Sequence, residues 1–207
     1  VFSEMKYDDP LVYENLSSAN TLGVFQLESG GMRQFLKELR PDDFEEIIAG
    51  ISLYRPGPTE SIPLYIKNKN NPDQIEYIHE KLRPILEVTN GILVYQEQVM
   101  QVVRELGGYS YARADLVRKA MSKKKMDVME EEREYFVNGK LDSEGNVEIS
   151  GCVRNGIPAS SANKIYDNMI DFAKYAFNKS HAACYAVLAY QTSYLKTHYK
   201  VEFMTAL

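Results

Sequence analysis

The sequence has few residues of the kinds that cross-link or bind metals: two cysteines, Cys152 and Cys184, and three histidines, His79, His181 and His198, in 207 residues. A small secreted scaffold would use more thiols, so two reduced cysteines are expected. No Cys/His spacing resembles a zinc site, and no metal is expected on this chain. Long apolar runs are also missing. Nothing approaches the roughly 20 residues that cross a bilayer, and "VFSEMKYDDP" has neither the basic start nor the apolar stretch of a signal peptide. These absences lead us to expect a cytoplasmic protein with no membrane partner. There is no initiator Met, and "VEFMTAL" at the end favours helix but carries no C-cap, so a piece of something longer is expected. Internal repeats and low-complexity tracts are absent.

What is present suits a folded body. At 44% hydrophobic residues the chain can bury one good-sized core or two small ones. Its net charge of −5 argues against a uniform cationic field for coating nucleic acid, but leaves room for a local basic surface.

Apolar positions recur at helical spacing almost throughout, and the short β-like runs "TLGVFQL" and "NVEI" are bounded by Gly, Asn or Ser. The fold class expected is mainly α, a multi-helix body with minor short β or irregular segments. Asp9 before Pro10 predicts an N-cap and first-turn proline. Met32, Phe35, Leu36 and Leu39 form one stripe, and Phe44, Ile47, Ile48 and Ile51 another. "YRPGP" interrupts the pattern as a stiff loop, because each proline excludes its predecessor from the helical region. "NKNNPDQ" and "TNG" read as turns. A helix over "YQEQVMQVVRELGG" turns Val94, Val99, Val102, Val103 and Leu106 inward and ends at Gly107. Ser110 caps the next helix, and "MDVMEEEREYFVNG" predicts another stopped by Gly139. Residues 139–156 read as a small hairpin or irregular insertion. Two last helices lie around "SSANKIYDNMIDFA" and "AACYAVLAYQTSYLKTHY".

The stretch "ADLVRKAMSKKKMDVM" holds five cations and no acid between Arg118 and Lys125. On a helical wheel Leu116, Val117, Ala120 and Met121 share the packing side, with Arg118, Ser122 and Lys125 opposite. Asp115 can pair with Lys119 or Arg118. One reading is a solvated helix whose lysines complement the dipole. The other is a phosphate site, with Arg118 as a planar fork and the lysines as point charges. Basicity alone does not separate them. In "YAFNKSHAACYAVLAYQTSYLK", Asn178, Lys179, Ser180 and His181 lie between Phe177 and Tyr185 at an apparent helix start, where free N–H groups, a hydroxyl, an imidazole and a cation meet. Each also has an ordinary structural reading, Ser180 as N-cap and His181 as a surface residue.

"TLGVFQLESGGM", "ISLYRPGP", "GILVYQEQVM", "DLVRKAMSKKK" and "FAKYAFNKSHAACYAVLAYQTSYLKTHY" occur in the order and approximate spacing of the bacterial DNA polymerase III alpha subunit family. The resemblance covers nearly the whole chain and is of the DnaE type, a family C replicative DNA polymerase. It implies a fingers domain over 1–207, with 1–30 entering from the palm, 31–138 a first helical part, and 157–207 a second helical part truncated at its end. The family's catalytic carboxylates lie in the palm, so no catalytic residue is expected here and the piece alone should be inactive. Mg²⁺ would serve the full polymerase without being bound by this piece.

By this resemblance, Arg118 and Lys119 meet the triphosphate of the incoming dNTP, where fixed cations stabilise developing charge. At Lys119 the family often has a second arginine, and the departure removes a bidentate grip. Lys123 joins this nucleotide-binding set, as do Asn178, Lys179, Ser180 and His181. Tyr54, Arg55, Lys124 and Lys125 are implied as DNA contacts, by stacking and by phosphate; Gln96 and Gln98 are weaker candidates. Primer–template DNA and dNTPs are the implied partners, with sliding clamp, proofreading and clamp-loader contacts outside these residues. Two other classes stay open: a non-catalytic helical module that binds RNA or DNA, and a scaffold whose cations dock an acidic run such as "EEERE".

Overall fold

The computed structural model describes residues 4–123 and 125–207. Among them are twelve α-helices and one two-stranded ladder, the mainly α body expected. The chain divides into two compact units. Residues 4–67 and 179–207 form one, and residues 68–178 form the other.

In the first unit, Asp9 Oδ1 accepts from the Leu11 N–H at 2.9 Å and Pro10 opens α1 (Pro10–Ser17). Together they use two of the N-terminal positions that lack intrahelical partners. "TLGVFQL" is not a strand. The Thr21 hydroxyl donates to Leu27 O at 2.6 Å across a run of turns, and Gln26 adopts a left-handed φ of 62°. That closure buries Val24 and Leu27 without a ladder. Ser29 caps α2 (Gly30–Leu39), whose Met32, Phe35, Leu36 and Leu39 are the predicted buried stripe. Asp43 caps α3 (Phe44–Leu53), buried at every position from Ile47 to Leu53. Tyr54 closes α3, a short 3-10 turn occupies Pro58–Ser61, and α4 (Ile62–Asn70) carries the chain out of this unit.

The second unit continues with α5 (Arg83–Leu86), α6 (Gln96–Gly107), α7 (Tyr111–Ser122) and α8 (Met126–Asn138). α6 ends at Gly107, the glycine expected, and Gly108 in the left-handed region caps it. A ladder follows, β1 (Lys140–Leu141) antiparallel to β2 (Val147–Ile149), then α9 (Gly151–Arg154) and α10 (Ala159–Ala173). Val102, Val103, Leu106, Val117, Phe136, Tyr166 and Met169 meet in one core. Fully burying each such side chain contributes about 1.5–3 kcal/mol. Polar groups drawn inward find partners: the Tyr166 hydroxyl donates to Met129 O at 2.8 Å, and Tyr109 donates to Glu132 O at 3.0 Å.

The first unit is completed by α11 (Lys179–His198) and α12 (Lys200–Ala206). Ala182, Ala186, Ala189 and Ser193 repeat at helical spacing along the buried side of α11, where small side chains let α3 approach closely. Tyr190 ties in the N-terminal segment. Its oxygen accepts from the Asp9 N–H at 2.8 Å, and its ring meets Tyr7, Tyr13 and Phe44 edge-on. Both cysteines are free, Cys152 buried and Cys184 exposed. Among the described residues no helix is long and apolar enough to cross a membrane.

Candidate functional site

The basic stretch begins as the helix expected. Ser110 Oγ accepts from the Arg113 N–H at 3.3 Å to start α7. Its packing side is Ala114, Val117, Ala120 and Met121. Leu116, expected on that side, is 60% exposed, because it sits one residue out of the i, i+3, i+6, i+7 series that meets the core. Arg118 does not point wholly outward either. Its Nε and Nη2 donate to Asp115 Oδ1 at 2.9 and 2.7 Å, and its side chain is 26% exposed. Lys119 Nζ lies 2.6 Å from the other carboxylate oxygen, Oδ2. Asp115 thus pairs with both cations at once. Lys119 and then Arg118 hold its carboxyl below the usual carboxylate range.

Arg118 has a third anchor. Its Nη1 donates to Gln96 Oε1 at 3.1 Å. Gln96, the first residue of α6, donates its backbone N–H to Phe177 O at 2.9 Å and its Nε2 to Ala176 O at 3.4 Å. Tyr95 and Phe177 form a parallel bridge beside it, and Asn178 Nδ2 donates to Glu97 Oε1 at 3.0 Å. The second unit therefore brings Gln96, Asp115, Arg118 and Lys119 together with the backbone of Ala176 and Phe177. Lys123 and Lys125 follow α7, both exposed and in no ion pair among the described residues. Lys124 lies outside the described residues.

Gln98 is spent internally. Its Oε1 accepts from the N–H groups of Val94 and Tyr95 at 2.9 and 3.0 Å, and its Nε2 donates to Ile85 O at 3.1 Å and Thr89 Oγ1 at 2.7 Å. At 3% exposure it has no free face for a ligand. It sets the start of α6, reaching back from the third helical position to the residue before the helix.

The remaining candidates lie in the first unit. Lys179 opens α11 and pairs with Glu45 at 2.8 Å. Ser180 is in the first turn rather than before it, so it is not the N-cap. His181 is exposed, with its ring 4.2 Å from that of Tyr185. The Tyr54 ring stacks on Phe35 with centroids 6.0 Å apart, and its hydroxyl occupies the space a Cβ on Gly31 would need. Arg55 Nε donates to Ser52 O at 2.9 Å, and burial lowers the pKa of its guanidinium. "FNKSH" is divided between units: Phe177 and Asn178 belong to one, Lys179, Ser180 and His181 to the other. Among the described residues no group of three or more His, Cys, Asp or Glu side chains is arranged to hold a metal ion.

The Asp115 pairings were readable at i+3 and i+4 spacing. The Gln96 contact joins residues 22 apart, and no sequence signal reveals it.

A family model described as the bacterial DNA polymerase III alpha subunit finger domain matches residues 1–144. Among similar proteins is the DNA polymerase III subunit alpha of Thermus aquaticus, 47% identical over 211 residues that span 100% of this chain and 16% of the relative. The Halalkalibacterium halodurans protein of that name is 46% identical over 204 residues, 99% of this chain and 17% of its own. The Bacillus subtilis protein is 44% identical over 205 residues, with the same coverage. The chain spans about one sixth of the length of these curated relatives.

Proposed function

The chain belongs to the finger-domain family of bacterial DNA polymerase III alpha subunits, and from that premise we propose that it binds the triphosphate of an incoming dNTP beside primer–template DNA, as part of a DNA-directed DNA polymerase. The observation that carries this reading is the cluster on α7, where Arg118 and Lys119 are held side by side on one carboxylate with Lys123 exposed nearby. Fixed cations of this kind stabilise charge that develops on a leaving pyrophosphate, because their orientation is set before the reaction begins. Arg118 supplies directed N–H groups and Lys119 a compact charge.

In this reading Asn178, Lys179, Ser180 and His181 contribute further nucleotide contacts, and Arg55 and Lys125 contact DNA phosphates. Tyr54 has one ring face committed to Phe35, so its DNA contact uses the other face or the ring edge. A replicative enzyme must accept any template, which suits phosphate and shape contacts rather than base readout. The described residues do not fit a Mg²⁺ site. The metal-dependent step of nucleotidyl transfer belongs in this proposal to carboxylates of the whole subunit, as do clamp, proofreading and clamp-loader contacts. Its compartment is the cytoplasm.

The test is single-nucleotide incorporation by the full-length subunit carrying Arg118→Ala, across a dNTP titration, with thermal melting to check the fold. We expect kcat/KM to fall on the order of 100-fold, the loss of one charge-stabilising donor. Unchanged incorporation with weaker primer–template binding, or a shallower salt slope, would assign the cations to DNA backbone instead.

A further inference from the structure

Asp115 is an anion placed among cations whose proposed task is to attract a polyanion. A surface built for attraction alone would omit it, since one negative charge within hydrogen-bond reach weakens the field of both partners. Its geometry points to a second task. The carboxylate divides its oxygens, Oδ1 accepting from two nitrogens of Arg118 at 2.9 and 2.7 Å and Oδ2 lying 2.6 Å from Lys119 Nζ. Gln96 Oε1 accepts from the third guanidinium nitrogen at 3.1 Å, and Gln96 is itself fastened to the backbone at Ala176 and Phe177. Three of the five guanidinium N–H groups are thereby engaged among the described residues, which leaves two for another acceptor.

We propose that Asp115 and Gln96 are positioning residues that lock the Arg118 guanidinium, so that its two remaining donors face a triphosphate in one fixed orientation. This rests on the reading of Arg118 as a triphosphate contact. An unanchored arginine must lose rotamer freedom as it binds, and it delivers its donors at variable angles. Anchoring removes that loss in advance at the expense of ground-state attraction. Charge and orientation therefore act on different kinetic constants. Removing the charge of Asp115 strengthens attraction and lowers KM, whereas removing the anchor misdirects donors in the transition state and lowers kcat.

The experiment compares wild type, Asp115→Asn, Arg118→Ala and the double variant in the full-length subunit, by single-turnover incorporation over a dNTP titration, kcat here being its maximal rate and KM its half-saturating dNTP concentration. The asparagine keeps an acceptor for one partner but loses the charge and the second acceptor. Positioning predicts a kcat lower on the order of tenfold with KM unchanged or reduced, roughly the loss of a charge-assisted hydrogen bond. It also predicts no further effect of Asp115→Asn once Arg118 is alanine. An unchanged kcat, whatever happens to KM, or an equal loss persisting in the Arg118→Ala background, overturns the proposal. Gln96→Met removes an anchor without changing charge and keeps the test decisive if Asp115→Asn melts early; the same fall in kcat supports positioning and an unchanged kcat refutes it. Arg118→Ala with wild-type kinetics would sink the triphosphate reading itself, while an impaired Arg118→Ala beside a normal Asp115→Asn would sink only the positioning role.

Discussion

Replacing Gln98 with leucine removes the one acceptor that serves two buried backbone donors. The Val94 and Tyr95 N–H groups, in residues only 3% and 1% exposed, both donate to Gln98 Oε1. Each buried donor left unsatisfied costs about 1–3 kcal/mol, so Gln98→Leu should cost roughly 2–6 kcal/mol. Ile85 O also loses its donor, while the Thr89 hydroxyl keeps Ile92 O at 2.6 Å. With an m-value of about 2 kcal/mol per molar urea, the midpoint should fall by roughly 1–3 M, read by helical circular dichroism. Because the chain has two compact units, only the transition belonging to residues 68–178 should move. Gln98→Glu sharpens the test, since it restores acceptors for both N–H groups but buries a carboxylate whose folded pKa must be raised. Its penalty should be small near pH 4, where the group is protonated, and should grow as pH rises above the unfolded value of about 4.3. A loss below about 1 kcal/mol for Gln98→Leu would show that the start of α6 satisfies its donors another way, and the anchoring argument would fail.

Two further predictions concern the segment after α8. Gly139 has φ of +87°, and a Cβ there would come within 2.5 Å of Ser150 O and 2.6 Å of Ile149 O, backbone atoms that cannot swing aside. Gly139→Ala should cost about 3 kcal/mol or more by urea denaturation, whereas Gly145→Ala, equally positive in φ but with open space around it, should cost about 1 kcal/mol; equal losses would refute the steric argument. The Asp142 carboxylate accepts from the Asn146 N–H and Nδ2 and the Glu144 N–H, which lowers its pKa from 3.8. A depressed carboxylate stabilises above its unfolded pKa and loses that stabilisation as pH falls through its folded one. The Glu144 and Asn146 amide resonances should therefore hold steady from pH 7 to about 5 and shift at lower pH than a free aspartate allows.

Periodicity exposed the buried faces of α2, α3 and α6, because a single helix placed against a core repeats its contacts every three or four residues. Caps at Asp9 and Ser110 were legible for the same local reason. "TLGVFQL" was misleading: its apolar residues are buried by a side-chain closure from Thr21, which alternation cannot distinguish from a strand. Leu116 shows the limit of a helical wheel, since four apolar residues in a row of turns do not say which three the core accepts. At the candidate site, the cations and Asp115 stood close in sequence and could be paired by spacing. Gln96 could not, because its role depends on α6 and α7 meeting through the core, with residues 176–178 returning beside them.

On a ribosome, residues 68–178 emerge before residues 179–207 do. The enclosed unit has every helix it needs and can close its core at once. The outer unit does not, because α3 and α1 must wait for the alanine face of α11. At about 5–20 residues per second that wait lasts on the order of 10–30 s, with Val12, Leu16 and Ile48 uncovered meanwhile. Such distant pairing is also the slow kind, since a long loop must be closed before any contact rewards it. A nascent chain halted just as residue 178 clears the ribosome would carry one finished core and one open one, and chaperones or proteases would find their substrate in the half made first.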